Sequence, residues 1–228
     1  GAPVAYWVSE NVRKCFEYKT LGDIGTSSKG IITGDNNRFL RLWYETQKSN
    51  IEFSAEKVAD AQKSNKKWYP CRKGGEMRKW YGNNEYIINW KGNGYEVLGL
   101  SKKEKRNCQD YLDKYKFIPS ISWTSISSGT PSFRFGEKDL SESAGMSYFV
   151  DSGSLKYNLA LMNSCVSINM LSLLAPTMNY TAGAINRLPI IQKNVKAVED
   201  TTNVCISLSK EDWDSFETSW DFKKHPLI

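Results

Sequence analysis

The stretch that most restricts what this chain can become is residues 67–90, KWYPCRKGGEMRKWYGNNEYIINW. It sets four cations, Arg72, Lys73, Arg78 and Lys79, among Trp68, Tyr69, Trp80 and Tyr81, with the pair Gly74-Gly75 in its midst. Cations attract a phosphate backbone, flat rings stack on bases or sugars, and glycine lets main chain approach a ligand closely. The same residues also suit a solvated hairpin carrying surface lysines, so the pattern alone leaves two readings open. Its last residues alternate Tyr86, Ile88 and Trp90 with Glu85, Ile87 and Asn89, which predicts a strand, and Lys91-Gly92-Asn93-Gly94 predicts a turn.

Charge is spread unevenly around this stretch. Residues 57–79 carry eight Lys or Arg against Asp60 and Glu76, whereas 199–221 carry seven Asp or Glu against Lys210 alone. With a net charge of +6 over 228 residues, and 40% of them hydrophobic, this is a globular chain with a basic face and an acidic end. An anionic partner at one surface is expected. The length suits one large domain, or one domain with an appendage. Cys15, Cys71, Cys108, Cys165 and Cys205 are odd in number, far apart and form no CxxC; reduced, mostly buried thiols in a cytoplasmic protein are expected. No apolar run reaches membrane-spanning length and no signal peptide opens the chain, so no membrane partner is expected. The Met-less start at Gly1-Ala2-Pro3 reads as that of a processed or excised chain.

The remaining pattern mixes helices and strands. Val8, Val12, Cys15 and Phe16 have helical spacing behind a Ser9 cap. Residues 30–37 read as a short strand running into a turn, and 38–45 as a strand. The polar stretch 46–66 holds a helix near 55–62, and 101–116, with Tyr111, Leu112 and Tyr115, a solvated one. In 120–124, Ile121 and Trp123 oppose Ser120, Ser122 and Thr124; in 132–135, Phe133 and Phe135 oppose Arg134, which is expected to face outward beside the seryl hydroxyls. Two amphipathic helices follow, the first on Leu155, Leu159 and Met162, the second on Val166, Met170, Leu173 and Leu174 and ended by Pro176. Thr181 opens a small glycine-containing segment. A helix from about Lys193 carries Val195, Val198, Thr202 and Cys205, and Ser209 is expected to cap a separate final helix.

The missing chemistry narrows function. Seven prolines include no Pro-Pro pair, which removes the Asn/Asp-Pro-Pro-aromatic loop of amino-methyltransferases. No dinucleotide or S-adenosylmethionine glycine fingerprint and no GxxxxGK[ST] is present. His225 is the lone histidine, so Ser-His and Cys-His pairs and a zinc site are not expected. Catalytic and metal-binding residues are both expected to be none.

Three segments now resemble a known family. Residues 30–39, GIITGDNNRF, are similar to the "G-x-x-TG-x-N-x-x-F" opening of target-recognition domains in single-chain restriction-modification enzymes. The run from Trp68 through RKWYGN (78–83) to Asn89-Trp90, and the tail DWDSFETSWDF (212–222), resemble one branch: the adenine-specific DNA methyltransferases of bacterial phage-exclusion (BREX) systems, often labelled type II restriction methylases. Residues 3–9 resemble the segment after that family's catalytic domain. LMNS (161–164) and NRLPI (186–190) resemble the helix and exit of specificity domains. The resemblance implies an α+β, sheet-rich target-recognition domain over 23–190 with flanking helices, a helical connector over 1–22 and a C-terminal helical segment over 191–228. It implies double-stranded DNA as partner, together with an upstream methyltransferase domain of the same polypeptide and other phage-exclusion subunits. S-adenosylmethionine then belongs to the parent protein and no cofactor to this fragment.

On that reading loops 33–38, 73–83 and 124–134 enter a groove. Arg72, Lys73, Arg78 and Lys79 neutralise phosphates. Asn36, Asn37 or Asn83 pairs with adenine, and Arg38, Arg78 or Arg134 with guanine, with Thr33, Trp80, Tyr81 and Thr124 beside them. For Asn36 and Asn37 a turn role competes with this; for Trp80 and Tyr81 a core role does. A basic protein- or RNA-interaction module of a regulatory protein is the alternative class, and a carbohydrate-binding module on exposed rings a third.

Overall fold

The computed structural model describes residues 8–103, 113–225 and 227. The family-like opening through Trp7, Cys108, and the middle of the helix expected at 101–116 lie outside them. The fold is α+β. Helix α1 (Glu10–Cys15) begins at Ser9, whose hydroxyl accepts from the Val12 amide. Strand β1 (Gly25–Ser28) precedes the one-turn helix α2 (Asn36–Phe39), strand β2 (Leu40–Leu42) and helix α3 (Val58–Lys63). Next come β3 (Trp68–Arg72), β4 (Tyr86–Asn89), α4 (Lys91–Lys103), β5 (Ser120–Thr124), β6 (Phe133–Gly136), β7 (Leu140–Ser141) and β8 (Gly145–Val150). The last third is helical: α5 (Leu155–Asn163), α6 (Cys165–Leu174), α7 (Ala182–Asn186) and the long α8 (Val195–Asp214).

Among the described residues eight strands form two four-stranded sheets, ordered β1-β8-β5-β6 and β2-β4-β3-β7. All pairings are antiparallel except β3 with β7. The chain steps from one sheet to the other between β7 and β8, where the Glu142 carboxylate accepts from Ser143 Oγ and the Ala144 amide. The sheets are joined by polar side chains. Ser141 Oγ lies 2.6 Å from Ser147 Oγ, and Arg72 reaches from β3 to Ser122 on β5.

Each sheet has its own core. Tyr69, Ile88, Trp90, Val97, Phe117 and Phe149 pack beneath β3 and β4, while Ile121, Trp123, Phe133, Tyr148, Leu159, Met162 and Leu171 pack between the other sheet and the helices. Burial of each such side chain stabilises the fold by roughly 1.5–3 kcal/mol. Every residue of β3 is buried, as are three of four in β4. Ile87 therefore does not share a polar face with Glu85: it packs on Ile51 and Trp68 while Ile88 fills the other side. A strand covered on both faces loses its alternation.

Four other expectations change. The 38–45 stretch is a helical turn, a three-residue strand and a 3-10 turn at Trp43–Glu45, because Asp35 accepts from the Arg38 amide and starts a helix first. Val166 is 54% exposed, and Leu171 takes the core position expected for its neighbours. Ser209 caps nothing: α8 runs through it to Asp214. Arg134 lies on the seryl face of its strand, but that face is covered, and it is 2% exposed.

The ends are stitched in. The Leu21 amide donates to Leu188 O and the Ile190 amide to Lys19 O. Beyond α8, the tail crosses to the β2-β4-β3-β7 sheet, where Trp43 Nε1 donates to Thr218 O at 2.9 Å and Lys48 Nζ to Trp220 O at 2.5 Å. No single helix among the described residues is long and apolar enough to cross a membrane.

Candidate nucleic-acid interface

Beyond β3 the chain turns through Gly74 (φ 97°) and Gly75 (φ 135°), a backbone that L side chains rarely adopt. A Cβ on Gly75 would lie 2.7 Å from the Asn83 amide nitrogen. The glycine pair thus allows residues 76–83 to fold back on themselves: Asn83 Nδ2 donates to Glu76 O at 2.9 Å, and Thr124 Oγ1 pins the loop by donating to Gly75 O at 2.8 Å. Trp80 sits at φ 72°, a conformation costing about 1–3 kcal/mol for a bulky residue. It is held by its amide donating to Phe133 O and its carbonyl accepting from the Phe135 amide.

This loop, Tyr86 of β4 and the end of α8 enclose a cleft of about 540 Å³. Lys73 and Arg78 line it, with Gly74, Gly75, Asn83 and the indole of Trp213. The Lys73 ammonium lies 4.6 Å from the Tyr86 ring centre. Arg78 lies over Trp213 at 5.1 Å and donates to Asp212 Oδ2 at 2.7 Å. Glu76 and Glu85 also line the cleft. Burial raises the Glu85 carboxyl above its ordinary value, and the Glu76 carboxylate adds to the rise. The cleft therefore offers two cations, flat rings and open main chain, tempered by carboxylates.

The other expected site residues are distributed elsewhere. Arg72 is 4% exposed; its Nε donates to Asp139 at 2.7 Å and its Nη1 to Ser122 Oγ at 2.8 Å. Burial opposes its charge, and Asp139 outweighs burial and holds it on. Lys79 points away, donating to Asn163 O at the carbonyl end of α5, where a cation is favoured. Tyr81 is buried and accepts from Lys210 Nζ at 3.0 Å. Burial disfavours the Lys210 ammonium, but Tyr81 and Asp214 outweigh it and push its pKa up.

Arg134 stands just behind the loop. Its guanidinium donates only at 3.4 Å, to Arg78 O, Ser132 Oγ and Thr124 Oγ1, and no carboxylate among the described residues pairs with it. Burial, then repulsion from Arg72 and Arg78, lowers it to about 9. It remains a cation at neutral pH, screened from water but one hydroxyl removed from the glycine loop.

Thr33, Asn36, Asn37 and Arg38 form a separate cluster leading into β2. Thr33 is buried and donates to Asn36 Oδ1 at 2.5 Å; Arg38 donates to Glu96 at 3.0 Å. Asn36 and Asn37 are exposed on the helical turn α2, and none of the four lines the cleft. Sequence reasoning missed Tyr86, Glu85 and Trp213 as cleft residues, and Asp212 as the partner of Arg78. For Trp213 a signal existed, since it is the second residue of the tail motif singled out above.

One glycine turn follows a strand and opens a helix, Gly92-Asn93-Gly94, non-helical residues within the first turn of α4. It is packed on the protein itself: Asn93 Oδ1 accepts from Trp90 Nε1 at 3.1 Å, and a Cβ on Gly94 would lie 2.6 Å from the indole.

Over its full length the chain is 38% identical to the adenine-specific methyltransferase PglX of Lacticaseibacillus casei (strain Zhang) and 37% identical to the adenine-specific methyltransferase BrxX of Escherichia coli O9:H4 (strain HS). It spans only 19% and 18% of those proteins. No family model matches it.

Proposed function

We propose that this chain is the DNA target-recognition portion of an adenine-specific methyltransferase serving phage defence or restriction-modification. The observation that carries the reading is the similarity, over the whole of this chain, to two proteins of that printed name. S-adenosylmethionine and the N6 transfer step then belong to the remaining four-fifths of such a polypeptide, and this portion reads the duplex in the cytoplasm. The cleft supplies the physical means. Lys73 and Arg78 meet phosphates and set register, the Gly74-Gly75 main chain permits close approach, and Asn83 presents an amide. Arg134 adds a positive potential behind the loop. Arg72, Lys79 and Tyr81 hold the loop's frame. Asn36, Asn37 and Arg38 form a second contact point at the start of β2, where the exposed Asn37 meets base edges and Asn36, its Oδ1 already taken by Thr33, offers its amide N–H groups.

Fluorescence anisotropy with a labelled duplex across a salt series tests this. We expect binding that weakens linearly in log salt, with Lys73→Gln reducing the slope by about 1. Binding equally strong to heparin would favour the polyanion- or RNA-docking alternative, and no duplex binding at low salt would defeat the proposal.

A further inference from the structure

Two stretches of this basic chain are uncharged. Residues 117–133 and 157–186 contain no Asp, Glu, Lys, Arg or His, in a protein of which 25% is Asp, Glu, Lys or Arg. Loops from these two stretches meet. Ile126 and Asn179 form an antiparallel bridge, with the Ser127 amide donating to Met178 O at 3.0 Å and the Tyr180 amide to Ser125 O at 2.8 Å. Trp123 Nε1 donates to Tyr180 O at 2.8 Å and ties this two-stranded ribbon back to β5. Successive side chains along an extended segment point to opposite faces. Ile126, 69% exposed, and the exposed Asn179 therefore stand side by side on one face, and Met178, 60% exposed, on the other. A ribbon open to solvent on both faces is shaped to enter a groove rather than to lie flat against a partner protein.

The ribbon adjoins the cleft. It leaves β5 at Thr124, whose hydroxyl pins Gly75, so it begins where the loop bearing Lys73 and Arg78 is held. Cations neutralise phosphates, whereas base edges are read by amides, hydroxyls and apolar groups, and the ribbon carries only the second kind. The major groove admits a two-stranded ribbon. There an A·T pair presents the adenine N6 amino group and N7, which suit a side-chain amide, beside the thymine methyl, which suits an apolar side chain. Ile126 and Asn179 offer those two groups from directly opposed positions, whose Cβ atoms lie about 4.5–5.5 Å apart in an antiparallel pair. We propose that this ribbon enters the major groove and reads an A·T pair, with Asn179 on adenine N6 and N7 and Ile126 on the thymine methyl. Duplex binding at the cleft is the premise of this assignment, which adds a base preference that the cleft's cations do not supply.

Fluorescence anisotropy of the 228-residue chain with alternating A·T duplexes decides it. One duplex is natural, one carries uracil for thymine and so lacks the methyl, and one carries 7-deazaadenine for adenine and so lacks N7. All three altered groups lie in the major groove, so a minor-groove preference for A·T does not respond to them. The natural duplex should bind about tenfold tighter than either analogue at one salt concentration. Ile126→Ser should bind the thymine and uracil duplexes alike while still distinguishing 7-deazaadenine, and Asn179→Ala should do the reverse. Neither residue is charged, so both variants should keep the log–log salt slope, which Lys73→Gln lowers. The analogue comparison uses the unaltered chain and stands even where a variant fails to fold. Duplex binding that is indifferent to both analogues would overturn the inference and leave the cleft reading intact. Discrimination that persists unchanged in both variants would overturn it as well, and would leave the ribbon to a protein partner. Absence of any duplex binding at low salt would defeat the cleft reading and this inference together.

Discussion

Two buried guanidiniums sit on facing strands of different sheets, and they are energetically opposite. Arg72 is bound to a carboxylate and a hydroxyl, so replacing it strands Asp139 as an unpaired buried charge. Arg72→Met should therefore destabilise the fold by about 3–5 kcal/mol in urea unfolding. Arg134 has three neutral acceptors at 3.4 Å and no counter-ion among the described residues. Its folded value, about 9, lies below that of a solvated arginine, so the unfolded chain holds the proton more tightly. The charge thus costs stability at neutral pH, and that cost is relieved only as pH rises above about 9. Arg134→Met should be neutral or stabilising, by up to roughly 4 kcal/mol, in the same measurement at pH 7. If the charge is kept for a polyanion, the same variant should also weaken duplex binding. Neither environment was legible in the sequence. An arginine between two phenylalanines on a strand reads as outward-facing, and only the second sheet packed across that face turns it inward.

At the scale of elements, the left-handed turn at the start of α4 is tightly constrained by side-chain type. Gly92, Asn93 and Gly94 take φ of 60°, 57° and 77° in succession, and the turn wraps the Trp90 indole. Gly94→Ala places a methyl 2.6 Å from that ring and adds backbone strain, so a loss of about 2–4 kcal/mol is expected by thermal unfolding. Gly92→Ala meets only Tyr95 Cβ at 3.6 Å and should cost about 1 kcal/mol, the conformational part alone. The sequence showed this turn plainly, as it did the Ser9 cap that starts α1. Local chemistry of that kind survives folding. The errors came where tertiary packing overrode it. Ile87 reads as half of an alternation but is covered on its own side, and Ser209 reads as a cap but lies inside a helix whose far end docks on the glycine loop. The candidate cleft divided similarly: its loop was visible, whereas Trp213 and Asp212 come from 130 residues away.

Across the whole molecule, the uneven charge of the sequence is partly spent within the fold. The acidic end returns to the basic stretch, pairing Asp212 with Arg78, and neutralises part of itself through Lys210, which pairs with Asp214 and Asp221. The cleft is therefore less positive than the sequence suggests, and its affinity for a polyanion is set by carboxylates as much as by cations. Glu85 gives this a pH dependence. Its raised pKa means that acidification neutralises it earlier than a solvated glutamate, so duplex affinity should rise as pH falls through that value, and Glu85→Gln should flatten the response. Asp212 gives the sharper test. Its pair with Arg78 is largely exposed on the carboxylate side, so Asp212→Asn should cost under about 1 kcal/mol of stability. Arg78 would remain stacked on Trp213 but lose its anion, leaving one more cation to displace counterions on binding a phosphate. Duplex affinity at low salt should then increase several-fold, with the log–log salt slope steeper by about 0.9. An unchanged slope would mean that Arg78 does not meet the duplex and serves only to fasten the tail; a weaker affinity would mean that the Asp212 clamp itself shapes the loop for binding.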